Sequence, residues 1–181
     1  MKRFIGILLM VTALCVVLAV PASASKPIEV NGLLIPGDCE PPEYRPIGQG
    51  DDDHYCQTTI DGCERGLVGD VEGTMVLNYE VLKRGPCDTG PATYPSTQRA
   101  WGTFDGAIWD GQEMRSGTCK ATWHGGWDWA EDGTSLIYEG RLSLHTCAGG
   151  LKGAHAQLDV ELIPDAGLPS YTGRAFFSSA P

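Results

Sequence analysis

From Lys120 to His145 the chain places Ala121, Trp123, Trp127 and Trp129 at alternate positions, then Leu136, Tyr138, Leu142 and Leu144, with Asp132-Gly133 between the two sets. Successive side chains on a strand point to opposite faces, so this alternation describes two strands that each bury one face. Asp-Gly supplies the positive φ that a tight hairpin turn needs. With these two residues as the turn, opposed positions sum to 265. Trp129 then faces Leu136, Trp127 faces Tyr138, Trp123 faces Leu142 and Ala121 faces Leu144. Cross-strand partners share a face, so all of these side chains lie on one side. The other side pairs Gly126 with Glu139, His124 with Arg141, Thr122 with Ser143 and Lys120 with His145. A slip of one residue would mix the two faces. The same register brings Cys119 within one residue of Cys147 and predicts a bridge between them.

Alternating runs recur along the C-terminal two thirds of the chain. They predict strands at Thr74–Lys83, Arg99–Trp109, Gln112–Trp129, Ser135–Thr146, Gly153–Ile163 and Tyr171–Ser178, with turns at Asp110-Gly111, Asp132-Gly133, Gly149-Gly150 and Pro164 to Pro169. Extension through Asp110-Gly111 puts Phe104 and Ile108 on the tryptophan face. Ala154, Ala156, Leu158, Val160 and Leu162 make a second apolar face, backed by His155, Gln157, Asp159 and Glu161. No segment has the 3.6-residue period of a helix. The expected fold is all-β: a single antiparallel β-barrel over residues 67–181, closed because closure removes exposed edges. Residues 25–66 hold Pro36, Pro41, Pro42 and Pro46 and three cysteines, and read as an irregular, disulfide-rich N-terminal extension.

The N-terminus reads as an export signal. Lys2 and Arg3 precede the apolar run Phe4 to Val20, and Ala22-Ser23-Ala24 fits a signal peptidase site, so residues 1–24 are expected to be removed. No later stretch approaches the ~20 apolar residues that span a bilayer. The expected location is secreted or periplasmic, with no membrane contact in the mature form. Six cysteines then remain: Cys39, Cys56, Cys63, Cys87, Cys119 and Cys147. An even count in an exported chain predicts three disulfides. The nearest pair, Cys56 and Cys63, is too widely spaced for a zinc knuckle. The whole chain carries a formal charge of −10. Such a surface repels phosphate backbones, which makes nucleic acid a poor partner.

The run "CAGGLKGAHAQLDVEL" (Cys147 to Leu162), the following "YTGRAFF", and "GTFDGAIWDG" resemble strands of the allene oxide cyclase-like and dirigent-type barrels, a calycin-like group. The resemblance covers the C-terminal half. It implies a barrel able to hold a small apolar molecule and transfers no catalytic residue to this chain. The six cysteines and the Pro-rich extension depart from that group's pattern.

Two sets of residues could carry a site. Trp123, Trp127, Trp129 and Tyr138 could line an apolar ligand site. His124, Arg141, Glu139 and His155, with Asp159 nearby, could do acid–base work if their face turned inward. "GDDDHYC", Gly50 to Cys56, lacks the spacing of a calcium loop, and no nucleophile elbow, phosphate-binding glycine loop or H-E-x-x-H motif occurs. No catalytic residue, metal or cofactor is therefore expected. The favoured reading is a non-enzymatic exported protein that binds a small apolar ligand or a protein partner. A barrel cyclase or isomerase and an extracellular carbohydrate-binding module are the alternatives. Which of the two faces is enclosed separates them.

Overall fold

A computed structural model describes residues 26–47, 55–87, 94–131, 133, 136–162 and 167–178. The expected signal peptide, residues 1–24, lies outside them. Nine strands form: β1 (Ile28–Pro36), β2 (Glu43–Ile47), β3 (Tyr55–Gly69), β4 (Val71–Arg84), β5 (Ser96–Trp109), β6 (Met114–Trp129), β7 (Leu136–Gly149), β8 (Ala154–Leu162) and β9 (Ser170–Phe177). No helix occurs among the described residues. The strands make one antiparallel sheet, ordered β1-β9-β8-β7-β6-β5-β4-β3-β2, and β1 pairs in addition with β3, which closes the sheet into a ring.

The six strands expected from alternation are β4 to β9. The β6–β7 ladder has the expected register, with Trp129 opposite Leu136, Trp123 opposite Leu142 and Lys120 opposite His145. The connection after Trp109 is longer than a two-residue turn, because pairing resumes at Met114. Asp110 organises it: its Oδ1 accepts the amides of Gln112 and Glu113, both at 2.9 Å. Those two bonds, led by Glu113, hold the Asp110 carboxyl below its ordinary range. The extra length is an even number of residues, so Phe104 and Ile108 stay on the tryptophan face and are fully buried.

The N-terminal region corrects the expectation. The described residues between 26 and 66 are not an irregular extension: they hold β1, β2 and most of β3, and so belong to the sheet itself. The prolines obey their rule without abolishing the strands. Pro36 ends β1, and Pro46 sits in β2, an edge strand paired only with β3, where a missing N–H is tolerated. In β3 a bulge between Ile60 and Cys63 shifts the phase of alternation by one residue. The alternation is therefore broken in the sequence although the strand is continuous in space.

The enclosed face is built from large side chains over glycine. Phe104, Met75, Leu77, Leu142, Leu144, Leu158 and Tyr171 are all buried in one core. Gly106 pairs across the sheet with Gly73 and with Gly117. A Cβ at Gly106 would collide with the Glu72 carbonyl oxygen and come within 2.7 Å of Phe104 Cζ. The missing side chain lets the strands bend sharply and lets the Phe104 ring lie over the bend. Tyr171 covers the Gly32–Gly69 pair in the same way. Its hydroxyl accepts from the Val71 amide at 2.9 Å and donates to the Val71 carbonyl at 2.8 Å, tying β9 to the start of β4. Burial pushes that hydroxyl up to about 12, so it stays protonated at any ordinary pH.

Three disulfides staple the sheet: Cys39–Cys63, Cys56–Cys87 and Cys119–Cys147. The last is the bridge that the β6–β7 register predicts. A register shift between Thr118 and Lys120 supplies the one-residue adjustment. Thr146, beside the bridge, takes a positive φ of 51°, as a bulge residue can. Cys39–Cys63 ties the segment between β1 and β2 to β3, and Cys56–Cys87 ties β3 to the chain that follows β4; three disulfides suit an oxidising compartment.

Candidate functional site

The ring encloses the tryptophan face. Trp123 and Tyr138 are buried, stacked at 5.9 Å between ring centres, and the Trp123 indole N–H donates to the Tyr138 hydroxyl. The Tyr138 O–H in turn donates a hydrogen bond to Gln98 Oε1 at 3.1 Å. Burial, opposed by the Trp123 bond, holds the Tyr138 hydroxyl well above its ordinary range. Tyr79 is raised by burial too, and the Arg65 guanidinium, 5.6 Å from its ring centre, pulls it partly back. These groups form a paired polar cluster inside an apolar core, which fixes side-chain positions and contributes no free binding group. Exposure of the three tryptophans rises toward the end of the strand. Trp123 is 2% exposed and Trp129 47%, with Trp127 between them and edge-on to Tyr138 at 5.3 Å. Trp123 is therefore withdrawn from the surface, and the three rings do not share one exposed face.

The polar set lies outside. His124, Glu139, Arg141 and His155 are all exposed. Arg141 donates to Asp159 Oδ1 at 2.7 Å, both side chains 63% exposed, and an ion pair so open to water contributes little. His124, Glu139, Arg141, Asp159, Glu161 and Thr172 line an open groove of about 430 Å³. His155 is not among them: it stacks on Phe176 with ring centres 4.4 Å apart. Acid–base catalysis calls for a histidine shielded beside a carboxylate, and neither His124 nor His155 is so placed. Among the described residues no group of three His, Cys, Asp or Glu side chains could hold a metal ion. Asp51 to His54, in the acidic "GDDDHYC" stretch, lie outside the described residues.

A second groove, also about 430 Å³, opens at one end of the ring, where β3 begins, β4 ends, β5 begins and β6 ends. Tyr55, Leu82, Pro95 and Trp127 supply its apolar walls, Gly125 and Gly126 part of its floor, and Arg84, Asp128 and Glu139 its charged rim. Ser96 lies in the same wall, is 7% exposed, and its hydroxyl has no hydrogen-bond partner among the described residues. Of the expected ligand-binding residues, the structure brings Trp127 alone to this groove. Tyr55, Leu82, Pro95 and Ser96 were not legible as a set, because they come from the ends of three different strands. Ser96 lies ahead of the strand expected from Arg99 to Trp109, since β5 begins three residues earlier than the alternation indicates.

No protein-family model matches the chain, and no curated protein matches it. Among solved structures, the fold is similar to that of a protein of unknown function from the DUF3224 family of Shewanella oneidensis MR-1. That match has a TM-score of 0.49 and 16% sequence identity, and covers 86% of this chain and 100% of the other.

Proposed function

We propose that the mature chain is an exported, disulfide-stapled β-barrel without catalytic function, which binds a small, largely apolar molecule in the groove at the open end of the ring. The groove carries this reading. A volume of about 430 Å³ falls within the range of small-molecule sites, and aromatic and aliphatic walls with a few polar groups at the rim are their usual lining. Trp123, Phe104 and Tyr171 fill the enclosed face, and half-buried Trp127, with exposed Tyr55 and Leu82, supplies apolar surface to the groove. The likeness of the C-terminal half to calycin-like barrels implies the same ligand class. The expected export signal and the three disulfides agree with life outside the cytoplasm.

The test is a fluorescence titration with the neutral apolar probe N-phenyl-1-naphthylamine. The wild-type protein should show saturable one-site binding, and Trp127→Ala should weaken it by about tenfold, the loss of one aromatic wall. Trp101→Ala removes an exposed tryptophan outside the groove lining and should leave binding unchanged. Non-saturable binding, or equal losses in the two variants, would overturn the proposal.

A further inference from the structure

We propose that the Cys39–Cys63 bridge is a reversible S-thiolation site, at which a small thiol without negative charge adds to Cys39. Which bridge an external thiol opens depends on which sulfur it can reach and on how well the departing thiolate is stabilised. Cys39 is the exposed member of the six bridged cysteines. Cys56, Cys63 and Cys119 are buried, and Cys87 and Cys147 are half-buried. The Arg65 guanidinium donates from Nη1 to the Cys39 sulfur at 3.5 Å, in an exposed setting. The same nitrogen donates to the Gly37 and Glu64 carbonyls at 3.2 and 2.7 Å, which holds the cation against the sulfur. A guanidinium so placed stabilises a thiolate.

The exchange has two steps. A thiolate bonds Cys39 Sγ, the Cys39–Cys63 bond breaks, and its electron pair passes to Cys63 Sγ, which takes a proton from water. The product is a mixed disulfide at Cys39 and a thiol at Cys63. A second thiolate then attacks the outer sulfur of the adduct. Cys39 leaves as a thiolate beside Arg65, and the two small thiols are joined as a disulfide. The backbone around the bridge does not depend on it: the Glu64 amide donates to the Asp38 carbonyl at 2.7 Å, and the Glu40 amide to the Asp61 carbonyl at 3.2 Å. These bonds keep Cys39 opposite Cys63 after the first step, so Cys63 can expel the adduct and reclose the bridge once the free thiol is removed.

The same pairing sets the selectivity. It brings Asp61 and Glu64 across from Asp38 and Glu40, four exposed carboxylates around the one guanidinium. At low ionic strength their field repels an anionic thiol and draws in one that carries an ammonium group.

The test treats the wild-type protein with cysteamine, which carries an ammonium group, or with 2-mercaptoethanesulfonate, which carries a sulfonate, at equal thiolate concentration. Acid quenching, alkylation and peptide mass spectrometry follow each bridge over time. The first product should carry the adduct on Cys39 and the alkyl group on Cys63, with Cys56–Cys87 and Cys119–Cys147 intact. Cysteamine should react about tenfold faster at low salt, and the ratio should approach one in ~1 M sodium chloride. A first adduct on any other cysteine, or simultaneous opening of all three bridges, would overturn the site. Equal rates for the two thiols at low salt would overturn its selectivity.

Discussion

Phe104→Ala is expected to destabilise the protein by about 3–5 kcal/mol, the usual cost of removing a fully buried aromatic side chain. Phe104 has no exposed surface, and its cross-strand partners are Met75 and Cys119. Its ring also covers the Gly73–Gly106 bend. Neither glycine has a side chain to relax into the vacated space, so the cavity should persist and the cost should fall in the upper part of that range. Phe104→Leu keeps most of the volume and should cost less than half as much. Trp101→Ala, three residues away on the outer face and 47% exposed, should change stability by no more than ~0.5 kcal/mol. Chemical denaturation of the three variants, with reversibility established first, measures all of these. Equal costs at Phe104 and Trp101 would mean that the two faces of β5 have been assigned the wrong way round.

Loss of the Cys119–Cys147 bridge is the second large effect. The cysteines are 28 residues apart in sequence, and a loop of that length gives about 3–4 kcal/mol in the chain-entropy account. The double variant Cys119→Ala, Cys147→Ala should therefore melt on the order of 10 °C lower than the wild-type protein. The bridge joins strands that an extensive ladder already pairs, so the variant should keep its β-sheet circular dichroism at low temperature. A change in melting temperature below ~2 °C would show that the bridge adds nothing to the ladder. Free thiols in the exported protein would contradict the expected compartment as well as the pairing.

How much of this was legible in the sequence differs from strand to strand for physical reasons. In β6 and β7 the alternation is long, and glycine and apolar positions keep a period of two on both sides of the turn. Register, the division of side chains between two faces and a disulfide followed from it; which face is enclosed did not. The turn at Asp110 is longer than two residues, but an even number of extra residues preserves the face, so Phe104 and Ile108 were still read correctly. In β3 the bulge after Ile60 reverses the phase, and the inward positions hold Cys56, Thr58 and Ile60 before it and Cys63, Arg65 and Leu67 after it, a mixed rather than an apolar series. Periodicity cannot find such a strand. β1 is a milder case. Ile28, Val30 and Leu34 alternate cleanly, but Gly32 and Pro36 read as turn signals although one faces Tyr171 across the ladder and the other only ends the strand.

The site was legible in one residue. Alternation assigned Trp127 to the apolar face and could not say how deeply it lies, since burial along a strand depends on where the ring ends. The other walls come from strand termini that only the closed sheet brings together. Of the polar set His124, Glu139, Arg141 and His155, the first three line one groove and His155 stands apart on Phe176; their exposure follows from which face the ring encloses.

That the groove beside Trp127 is the binding surface is tested most directly by amide chemical-shift mapping of the ¹⁵N-labelled protein during titration with N-phenyl-1-naphthylamine. Saturable shifts should centre on Ser96, Thr97, Gly125, Gly126 and Trp127, with its indole N–H among them. Shifts centred instead on His124, Arg141, Asp159 and Thr172, or no saturable shifts at all, would contradict it.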